Sequence, residues 1–413
     1  MKAQHPESLM MSHGYEPSWS EYAVKPPIFM TSTFAFPNAQ AGKQFFAEAY
    51  GKSDGNGGGL IYSRLNNPNL QILEERLALW EKAEGAAVFE SGMSAISTLF
   101  LAYLKPGDAL LLSNPVYGGT HHFAHHYLTS IGVEILHFTE NTDLLLLGDE
   151  LIADGCAAKI KVIHVETPAN PTNALFDLAG LQSLRLRLEK ASGSRCVYSV
   201  DNTYMGPIWQ KPLEFGADVS IYSATKYLSG HSDLIAGAVV GTTEAIQAVK
   251  TLRTFIGNMA SPFTCWLLSR SVETLAIRME RQTQTAQKVV EFLVGHAAVA
   301  RVYFPGLASQ GERQVALYLA QCSAPGAMIS FDVVGGELDA FRVLNALQLV
   351  KLAVSLGSNE SLAQHPYHMT HADVPDAEKE SLNITESMIR FSVGMEHPDD
   401  LIEDLNQALN QIL

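Results

Sequence analysis

The sequence lacks the features that are typical of membrane, secreted and nucleic-acid-binding proteins. No apolar run of about 18 residues occurs in its 413 residues, so we expect no membrane-spanning helix. Residues 1–21 have no apolar segment after basic residues, so we expect no signal peptide and a cytoplasmic location. The formal net charge is −15 and no basic stripe is present, so we expect no nucleic-acid partner. An enzyme acting on small molecules, or a protein that binds other proteins, remains.

Cysteine is scarce, and no C-x-x-C pair is present. The four cysteines are Cys156, Cys196, Cys265 and Cys322. Such scattered cysteines are typical of free thiols in a reducing compartment rather than of a disulfide framework.

Two groups of histidines resemble metal-ligand patterns. They are His121, His122, His125 and His126, and then His365, His368 and His371. The first group lacks an acidic residue at H-E-x-x-H spacing and a cysteine nearby, and the second falls in a loop. We therefore interpret both groups as structural or solvated and predict no metal. A metal-dependent hydrolase is the alternative.

Short apolar stretches alternate with segments of helical periodicity in the middle of the chain. The predicted strands are residues 86–89, 109–112, 133–137, 161–165, 196–200, 219–222 and 238–240. The predicted helices among them are residues 69–82, 92–105, 120–130 and 178–191. This alternation predicts an α/β fold with a mostly parallel sheet, helices on both faces, and its chemistry at the carboxyl ends of the strands.

We expect three regions along the chain. Residues 1–63 have few regular patterns and are predicted to form an N-terminal arm, with a glycine-rich flexible loop at 51–59. Residues 64–262 would form the large domain that contains the sheet. Residues 263–413 would form a smaller α+β domain, and its predicted elements are strands at 327–333, 349–353 and 388–393 and a helix at 398–413.

One lysine is accompanied in the sequence by hydroxyl and carboxylate residues, a combination that suits one particular cofactor. The strand at 219–222 runs directly into Ser223, Thr225 and Lys226, and Asp201 follows an earlier strand. Hydroxyl groups bind a phosphate, an amine bonds to an aldehyde, and a carboxylate pairs with a pyridine nitrogen; pyridoxal phosphate needs all three. We predict that Lys226 is catalytic, that Asp201 holds the ring nitrogen, and that Ser223 and Thr225 bind the phosphate. Standing alone, each residue would be interpreted as a surface or capping residue.

Three further features fit this cofactor or its substrate. Ser91, Gly92 and Met93 precede a helix, whose first backbone amides can bind an anion. Tyr117 follows a strand, where it can stack on the cofactor ring and transfer protons. Arg390 lies in an apolar strand, where it needs an anion such as a substrate α-carboxylate. The alternatives are a capped helix start, a tyrosine packed in a turn and an internal ion pair.

Taken together, the motifs resemble the pyridoxal-phosphate enzymes of cysteine and methionine metabolism. That family includes cystathionine γ-synthase, cystathionine γ-lyase, methionine γ-lyase and the homoserine-ester sulfhydrylases. The matching stretches are residues 62–64, 67–68, 91–93, 117–118, 166–171, 200–203, 223–230, 355–357, 360–362, 365–366, 369–371 and 390–394. They span nearly the whole chain, and the resemblance adds Thr203 to the cofactor site.

The resemblance also implies a fold and an assembly. It implies a type I fold, like that of aspartate aminotransferase, and a homotetramer of two active dimers. Tyr62 and Arg64 would reach the cofactor phosphate of the neighbouring subunit. Asn170 would lie at the cofactor hydroxyl or the substrate carboxylate, with Ser355 and Arg390 at that carboxylate.

Two positions bear on the reaction. Methionine γ-lyases usually have a cysteine at the position of Gly119. The cystathionine enzymes have glycine there, as this chain does. Cystathionine enzymes tend to have a glutamate at the position of Val354. The methionine γ-lyases have valine there, as this chain does. An apolar side chain suits a thioether methyl better than the distal amino group of cystathionine, because burying an unpaired charge is costly. Residues 253–262 also lack the Lys-Asp pair that is expected of typical methionine γ-lyases.

We favour γ-elimination on L-methionine, because Val354 bears directly on specificity. Lys226 would remove the α-proton and Tyr117 would protonate the departing thiolate, giving 2-oxobutanoate, ammonia and methanethiol. The alternatives are cystathionine γ-synthase or γ-lyase activity and γ-replacement on a homoserine ester. A non-catalytic relative that keeps the fold as a binding module is less favoured, because every cofactor-contacting position is present.

Overall fold

Two sheets organise the chain, one of seven strands and one of five. The computed structural model describes residues 5–52 and 58–413. The strands of the large sheet are β1 (Gly85–Phe89), β2 (Ala109–Ser113), β3 (Glu134–Phe138), β4 (Ile160–Glu166), β5 (Val197–Asp201), β6 (Val219–Tyr222) and β7 (Gly237–Gly241). Every strand predicted for this part of the chain is present, with ends that agree to within one residue.

The large sheet is parallel except for one interior strand. Its order is β1-β7-β6-β5-β4-β2-β3, and β7 runs antiparallel to both β1 and β6. β2, β5, β6 and β7 are buried along their whole length, as strands covered on both faces should be. Adjacent carboxyl ends bring Glu166 of β4 into register with Asp201 of β5. The carboxyl ends of these strands, where the chemistry was predicted, therefore lie next to each other along one edge of the sheet.

Helices precede the large sheet and join its strands. They are α1 (Pro6–Leu9), α2 (Ala39–Ala49), α3 (Pro68–Trp80), α4 (Gly92–Tyr103), α5 (Gly118–His122), α6 (Leu144–Ala153), α7 (Leu178–Ser192), α8 (Gly206–Trp209) and α9 (Thr243–Ile256). Ser91, Asp177 and Thr242 cap α4, α7 and α9 by accepting backbone N–H groups of the first turn. None of the helices in the described part of the chain is long and apolar enough to cross a membrane.

The smaller sheet packs against the large one through a shared core. Its strands are β8 (Val299–Tyr303), β9 (Met328–Val333), β10 (Lys351–Leu352), β11 (Leu362–Gln364) and β12 (Met388–Ser392), in the order β10-β11-β12-β9-β8. The accompanying helices are α10 (Pro262–Val272), α11 (Leu275–Gly295), α12 (Glu312–Gln321), α13 (Glu337–Ala346), α14 (Asp376–Ser381) and α15 (Pro398–Leu409). One hydrophobic cluster contains both Val240 of β7 and Phe331 of β9, so the two sheets bury a common core.

The N-terminal region contains a helix that the sequence did not predict. Residues 39–49 form α2, and the side chain of Asn38 caps it by accepting the backbone N–H of Ala41 at 2.8 Å. The predicted flexible loop at 51–59 falls mainly on residues 53–57, which lie outside the described residues. The predicted domain boundaries after residues 63 and 262 stay predictions.

Two predicted elements change character in the structure. The helix predicted at 120–130 begins at Gly118 and continues from α5 as a π-helix over Phe123–Leu128. The strand predicted at 349–353 is reduced to the two exposed residues of β10, which form the edge of the smaller sheet.

Candidate active site

A cavity of about 370 Å³ opens at the carboxyl ends of β4, β5 and β6. It brings together residues from distant parts of the chain. The predicted site residues in its lining are Ser91, Gly92, Met93, Tyr117, Asn170, Asp201, Thr203, Ser223, Thr225, Lys226, Val354, Ser355 and Arg390. The folded chain thus collects nearly the whole predicted set at one place.

Lys226 lies in the loop after β6 and presents its amine to the cavity. Its Nζ donates a hydrogen bond to Oγ of Ser355 at 2.8 Å. Burial, with a smaller effect from the positive charge of Arg390, lowers the pKa of Lys226 to about 8. Part of the amine is therefore neutral near physiological pH, and the neutral form is the nucleophile and the base.

Asp201 is a buried carboxylate of the site and ends β5. Its Oδ1 accepts hydrogen bonds from the backbone N–H of Thr203 at 3.0 Å and from the Thr203 hydroxyl at 2.6 Å. The same hydroxyl accepts the backbone N–H of Ser223 at 2.9 Å. Burial raises the pKa of Asp201, and the hydrogen bonds from Thr203 oppose that shift. Thr203 therefore links the strand end that carries Asp201 to the loop that carries Lys226.

The start of α4 lies against the loop after β6. The side chain of Ser91 accepts a first-turn backbone N–H at 3.0 Å. A Cβ on Gly92 would lie only 3.0 Å from Cβ of Ser223, so glycine permits this close approach. Thr225 fixes the loop by bonding to both the N–H and the carbonyl of Ala236. First-turn amides and hydroxyl groups therefore meet at the cavity, an arrangement that suits an anion.

Arg390 is the buried cation of the site. Its Nη1 donates to Oδ1 of Asn170 at 3.0 Å, and its Nη2 donates to the backbone carbonyl of Ser355 at 2.9 Å. Its Nε is buried without a hydrogen-bond partner among the described residues. Ser355 holds its carbonyl there with a φ of +88°, a conformation that non-glycine residues adopt rarely and mainly at functional sites. A substrate carboxylate could accept from this N–H and from a second free N–H of the same guanidinium.

Glu166 is a lining residue that the sequence analysis did not assign to the site. It is buried at the end of β4 beside Asp201, and burial together with the negative charge of Asp201 raises its pKa. Its position at the carboxyl end of a parallel strand is the signal that could have identified it. Other lining residues that were not predicted are Ile96, Tyr204, Ile235, Leu356 and Thr370.

Part of the cavity wall is apolar and accessible. Val354 is 57% exposed and Ile235 is 66% exposed in the single chain, and Met93 also lines the cavity. Beside them, a Cβ at residue 119 would lie 2.6 Å from Cε1 of Tyr117. The glycine at that position allows the tyrosine ring to pack where a side chain would displace it. An aliphatic substrate side chain fits this wall better than a charged one.

Tyr62 and Arg64 lie outside the cavity of their own chain. Tyr62 is 41% exposed, and the guanidinium of Arg64 lies 5.7 Å from its ring centroid. Nη1 of Arg64 donates to the backbone carbonyl of Thr254 at 2.7 Å. The structure thus places the two residues together at the surface, and their role at a neighbouring subunit stays a prediction.

The first histidine group forms two pairs of tilted, neighbouring rings on the helix after Tyr117. The ring centroids of His121 and His125 are 4.2 Å apart, and those of His122 and His126 are 4.1 Å apart. Burial, followed by repulsion from His121 and His137, lowers the pKa of His125 to about 4. In residues 5–52 and 58–413, no group of three or more histidine, cysteine, aspartate or glutamate side chains is arranged to hold a metal ion.

Asp201 and Arg390 are buried charged side chains, and pyridoxal phosphate with an amino acid would supply the partners of opposite charge that they need. A carboxylate that is only 6% exposed is stabilised by a nearby cation, which a protonated pyridine nitrogen provides. The unsatisfied donor of Arg390 is matched by the carboxylate of an amino acid. When bound, pyridoxal phosphate stabilises negative charge that develops at the α-carbon of that amino acid. A type I pyridoxal-phosphate-dependent enzyme is the class that this fold and cavity define.

Comparison with known proteins narrows that class. The chain belongs to the family of Cys/Met metabolism PLP-dependent enzymes, whose model matches residues 7–410. It is 41% identical over 399 residues to an L-methionine gamma-lyase of Pseudomonas putida, covering 96% of this chain and 95% of the relative. It is 37% identical over 407 residues to a cystathionine beta-lyase of Bacillus subtilis, covering 98% and 96%. The protein is therefore a pyridoxal-phosphate-dependent carbon–sulfur lyase that acts on an amino acid.

Solved structures share the fold over the full length. A cystathionine gamma synthase of Xanthomonas oryzae pv. oryzae, in complex with aminoacrylate and cysteine, is 32% identical with a TM-score of 0.87 and covers 100% of this chain and 99% of its own. A cystathionine gamma-lyase of Lactobacillus plantarum, complexed with L-serine, is 32% identical with a TM-score of 0.86 and covers 99% of both chains. The predicted family, fold class and cofactor are confirmed.

Proposed function

We propose that the protein cleaves L-methionine by γ-elimination, releasing 2-oxobutanoate, ammonia and methanethiol. The observation that carries this proposal is Val354, which lines the cavity next to Ser355 and presents an apolar side chain to it. A thioether methyl gains from contact with such a side chain, whereas the charged distal amino group of cystathionine would find no partner there. The similarity to relatives named L-methionine gamma-lyase supports the same choice.

Substrate orientation follows from the cation of the site. Arg390 would bind the α-carboxylate through its fork of donors, with Asn170 and Ser355 fixing the guanidinium. The α-carbon would then lie near Lys226, whose amine bonds to the hydroxyl of Ser355. The side chain of methionine would extend along Val354 and Ile235. This orientation places the proton to be removed and the sulfur to be expelled on different sides of the cavity.

Two side chains would move the protons. Lys226 in its neutral form would take the proton from the α-carbon, because burial keeps its pKa near 8. Lys226, neutral again once it has released the first proton, would take a second proton from the β-carbon; the bond between the γ-carbon and sulfur breaks, and Tyr117 would donate a proton to the departing thiolate. Water completes the balance, since methionine and one water give 2-oxobutanoate, ammonia and methanethiol.

A second candidate function is cleavage or synthesis of cystathionine, and Gly119 favours it. The Tyr117 ring packs at this glycine in a position that a cysteine side chain would disturb, because a Cβ there would lie 2.6 Å from the ring. The cystathionine enzymes share this glycine in the resemblance described above. A relative named cystathionine beta-lyase is 37% identical to the chain.

Product analysis separates the candidates. The purified enzyme loaded with pyridoxal phosphate is incubated with L-methionine alone, and 2-oxobutanoate, ammonia and methanethiol are quantified. Equal amounts of the three are expected. Pyruvate from L-cystathionine would indicate β-elimination instead, and turnover that requires a homoserine ester plus an added thiol would indicate γ-replacement.

We also propose a tetramer of two active dimers, in which Tyr62 and Arg64 of one copy complete the cofactor site of another. Both residues lie outside the cavity of their own chain, and Tyr62 is exposed. A cation and a hydroxyl supplied in this way would add to the phosphate partners at the start of α4. The dimer would then be the smallest active unit.

Subunit mixing tests this assembly. Arg64→Ala and Lys226→Ala are expected to be weakly active or inactive when each is assembled alone. Mixed dimers contain one cavity in which both residues are intact, so co-refolding the two variants should restore activity to about a quarter of the wild-type value, following random assortment. No restoration, with sedimentation showing mixed oligomers, would contradict a shared site.

A further inference from the structure

Glu166 has a position that its burial alone does not explain. It is 5% exposed, ends β4 and lines the same cavity as Asp201 and Arg390. None of the roles assigned above requires a second carboxylate there. A buried carboxylate next to another one is unfavourable unless its oxygens have strong partners.

Both oxygens of Glu166 have such partners, and the partners lie on two different loops. Oε2 accepts the backbone N–H of Tyr117 at 2.7 Å, and Oε1 accepts the backbone N–H of Asn170 at 2.9 Å. Tyr117 carries the proposed acid for the leaving group. Asn170 in turn accepts a hydrogen bond from Arg390, the proposed carboxylate ligand. One side chain therefore holds the backbone of both ends of the proposed substrate site.

We propose that Glu166 is a positioning residue that couples the placement of Tyr117 to that of Asn170 and Arg390. Each backbone N–H donates to a different oxygen of the same side chain, at 2.7 Å for Tyr117 and 2.9 Å for Asn170, so the two loops are held relative to each other. The proton-donating and carboxylate-binding groups then keep one separation, set by the two oxygens of one carboxylate. This inference deepens the proposed function and rests on it for the role of Tyr117.

Replacement by glutamine is the sharpest test of the two-oxygen arrangement. The amide of Glu166→Gln has nearly the same shape but offers only one acceptor, so its NH₂ group must face a backbone N–H. Glu166→Asp keeps both acceptors and withdraws them by one methylene. Glu189→Gln is the matched control, because Glu189 accepts the backbone N–H of Cys196 at 2.9 Å, far from the cavity.

Three readouts are measured on each purified holoenzyme. They are the thermal unfolding midpoint, kcat and KM for the sulfur amino acid that the wild type cleaves, and the Kd of glycine from the change in cofactor absorption. Glycine has the carboxylate and amine of a substrate but no leaving group, so its Kd reports on the Arg390 side even if the proposed reaction is wrong. Glu166→Gln should lower kcat and weaken glycine binding, each by roughly 10-fold or more, with Glu166→Asp intermediate.

The outcomes distinguish positioning from plain stability. Unchanged kcat and glycine Kd in folded Glu166→Gln would overturn the proposal, as would equal losses in Glu189→Gln. A lower unfolding midpoint with unchanged kinetics would show a purely structural residue. If Glu166→Gln does not fold, Glu166→Asp decides, because wild-type kinetics in that variant would also overturn the proposal. Absence of methionine cleavage by the wild type would refute the proposed function alone, since the glycine measurement is independent of it.

Discussion

The two sides of the cavity differ in how they are built. The polar floor consists of Asp201, Thr203, Ser223 and Lys226, which follow neighbouring buried strands and are linked in part by hydrogen bonds. The apolar wall consists of Met93, Ile235 and Val354, which project from loops and a helix start. Two of the three wall side chains are more than half exposed. Under the proposed function, the floor would perform the chemistry that all substrates share, and the wall would select the substrate.

The comparison predicts two kinds of mutational effect. Changes in the floor should reduce turnover of every substrate, because the cofactor and proton transfers are shared. Changes in the wall should alter the ratio between substrates and leave cofactor binding intact. The carboxylate site at Arg390 should behave as an intermediate case, because every amino-acid substrate has the carboxylate but only its binding is affected.

Removing the amine of the floor should have the largest effect. Lys226→Ala is expected to lower kcat by roughly 10³-fold or more, since a positioned base is lost along with the covalent link to the cofactor. The measurement is 2-oxobutanoate release, with the cofactor absorption spectrum recorded beside it. Lys159→Ala, on an exposed lysine paired with Glu134, is the control and should be unaffected. Full turnover in Lys226→Ala would remove the lysine from the mechanism.

Removing the fork of Arg390 should have the next largest effect. Arg390→Lys keeps the charge but loses the two parallel donors, so kcat/KM should fall by roughly 10- to 100-fold for all substrates. The loss should appear mainly in KM and in the Kd of glycine. If the loss instead depended strongly on the substrate side chain, Arg390 would belong with the wall.

Changing the wall should alter preference more than overall activity. Val354→Glu places a carboxylate where the distal amino group of cystathionine would lie, so the ratio of kcat/KM for methionine to that for cystathionine should fall by roughly 10- to 100-fold. Val354→Leu keeps the apolar character and should leave the ratio nearly unchanged. Equal losses on both substrates would show that residue 354 acts on the common chemistry.

The smallest predicted effect is the pH dependence of the rate at which Lys226 reacts with the cofactor. The lowered pKa of about 8 means that the amine is charged below that pH and neutral above it. The rate at which the apoenzyme combines with pyridoxal phosphate should therefore rise about tenfold per pH unit below the pKa and level off above it. Stopped-flow absorption measures this rate. A midpoint near the ordinary lysine value would mean that burial does not govern the amine.

The floor residues could be predicted to lie together because their signals in the sequence are local. Each floor residue stands within a few positions of a short apolar strand, and parallel strands bring such ends to one edge. The seven strands of the large sheet were found for the same reason. Arg390 was identified because a cation in an apolar strand needs an anion.

Other features depend on contacts that no local pattern shows. Two strands were not predicted: β8, whose exposed first residues follow no clear alternation, and the short β11, which is held by its neighbour β12. The position of Glu166 at the end of β4 is a local signal for the site, but its role depends on two backbone N–H groups, one of them 49 residues away. The positive φ of Ser355 is likewise set by the surrounding structure rather than by a glycine in the sequence.

The most direct test of the account is the ratio of kcat/KM for L-methionine to that for L-cystathionine, measured on the wild-type enzyme with 2-oxobutanoate and pyruvate both quantified. An apolar wall at Val354 that selects the substrate predicts a ratio well above one, with 2-oxobutanoate as the keto acid formed from methionine. A ratio well below one would contradict the account, because the wall would then accept the charged end of cystathionine and Gly119 would be the better guide to the substrate.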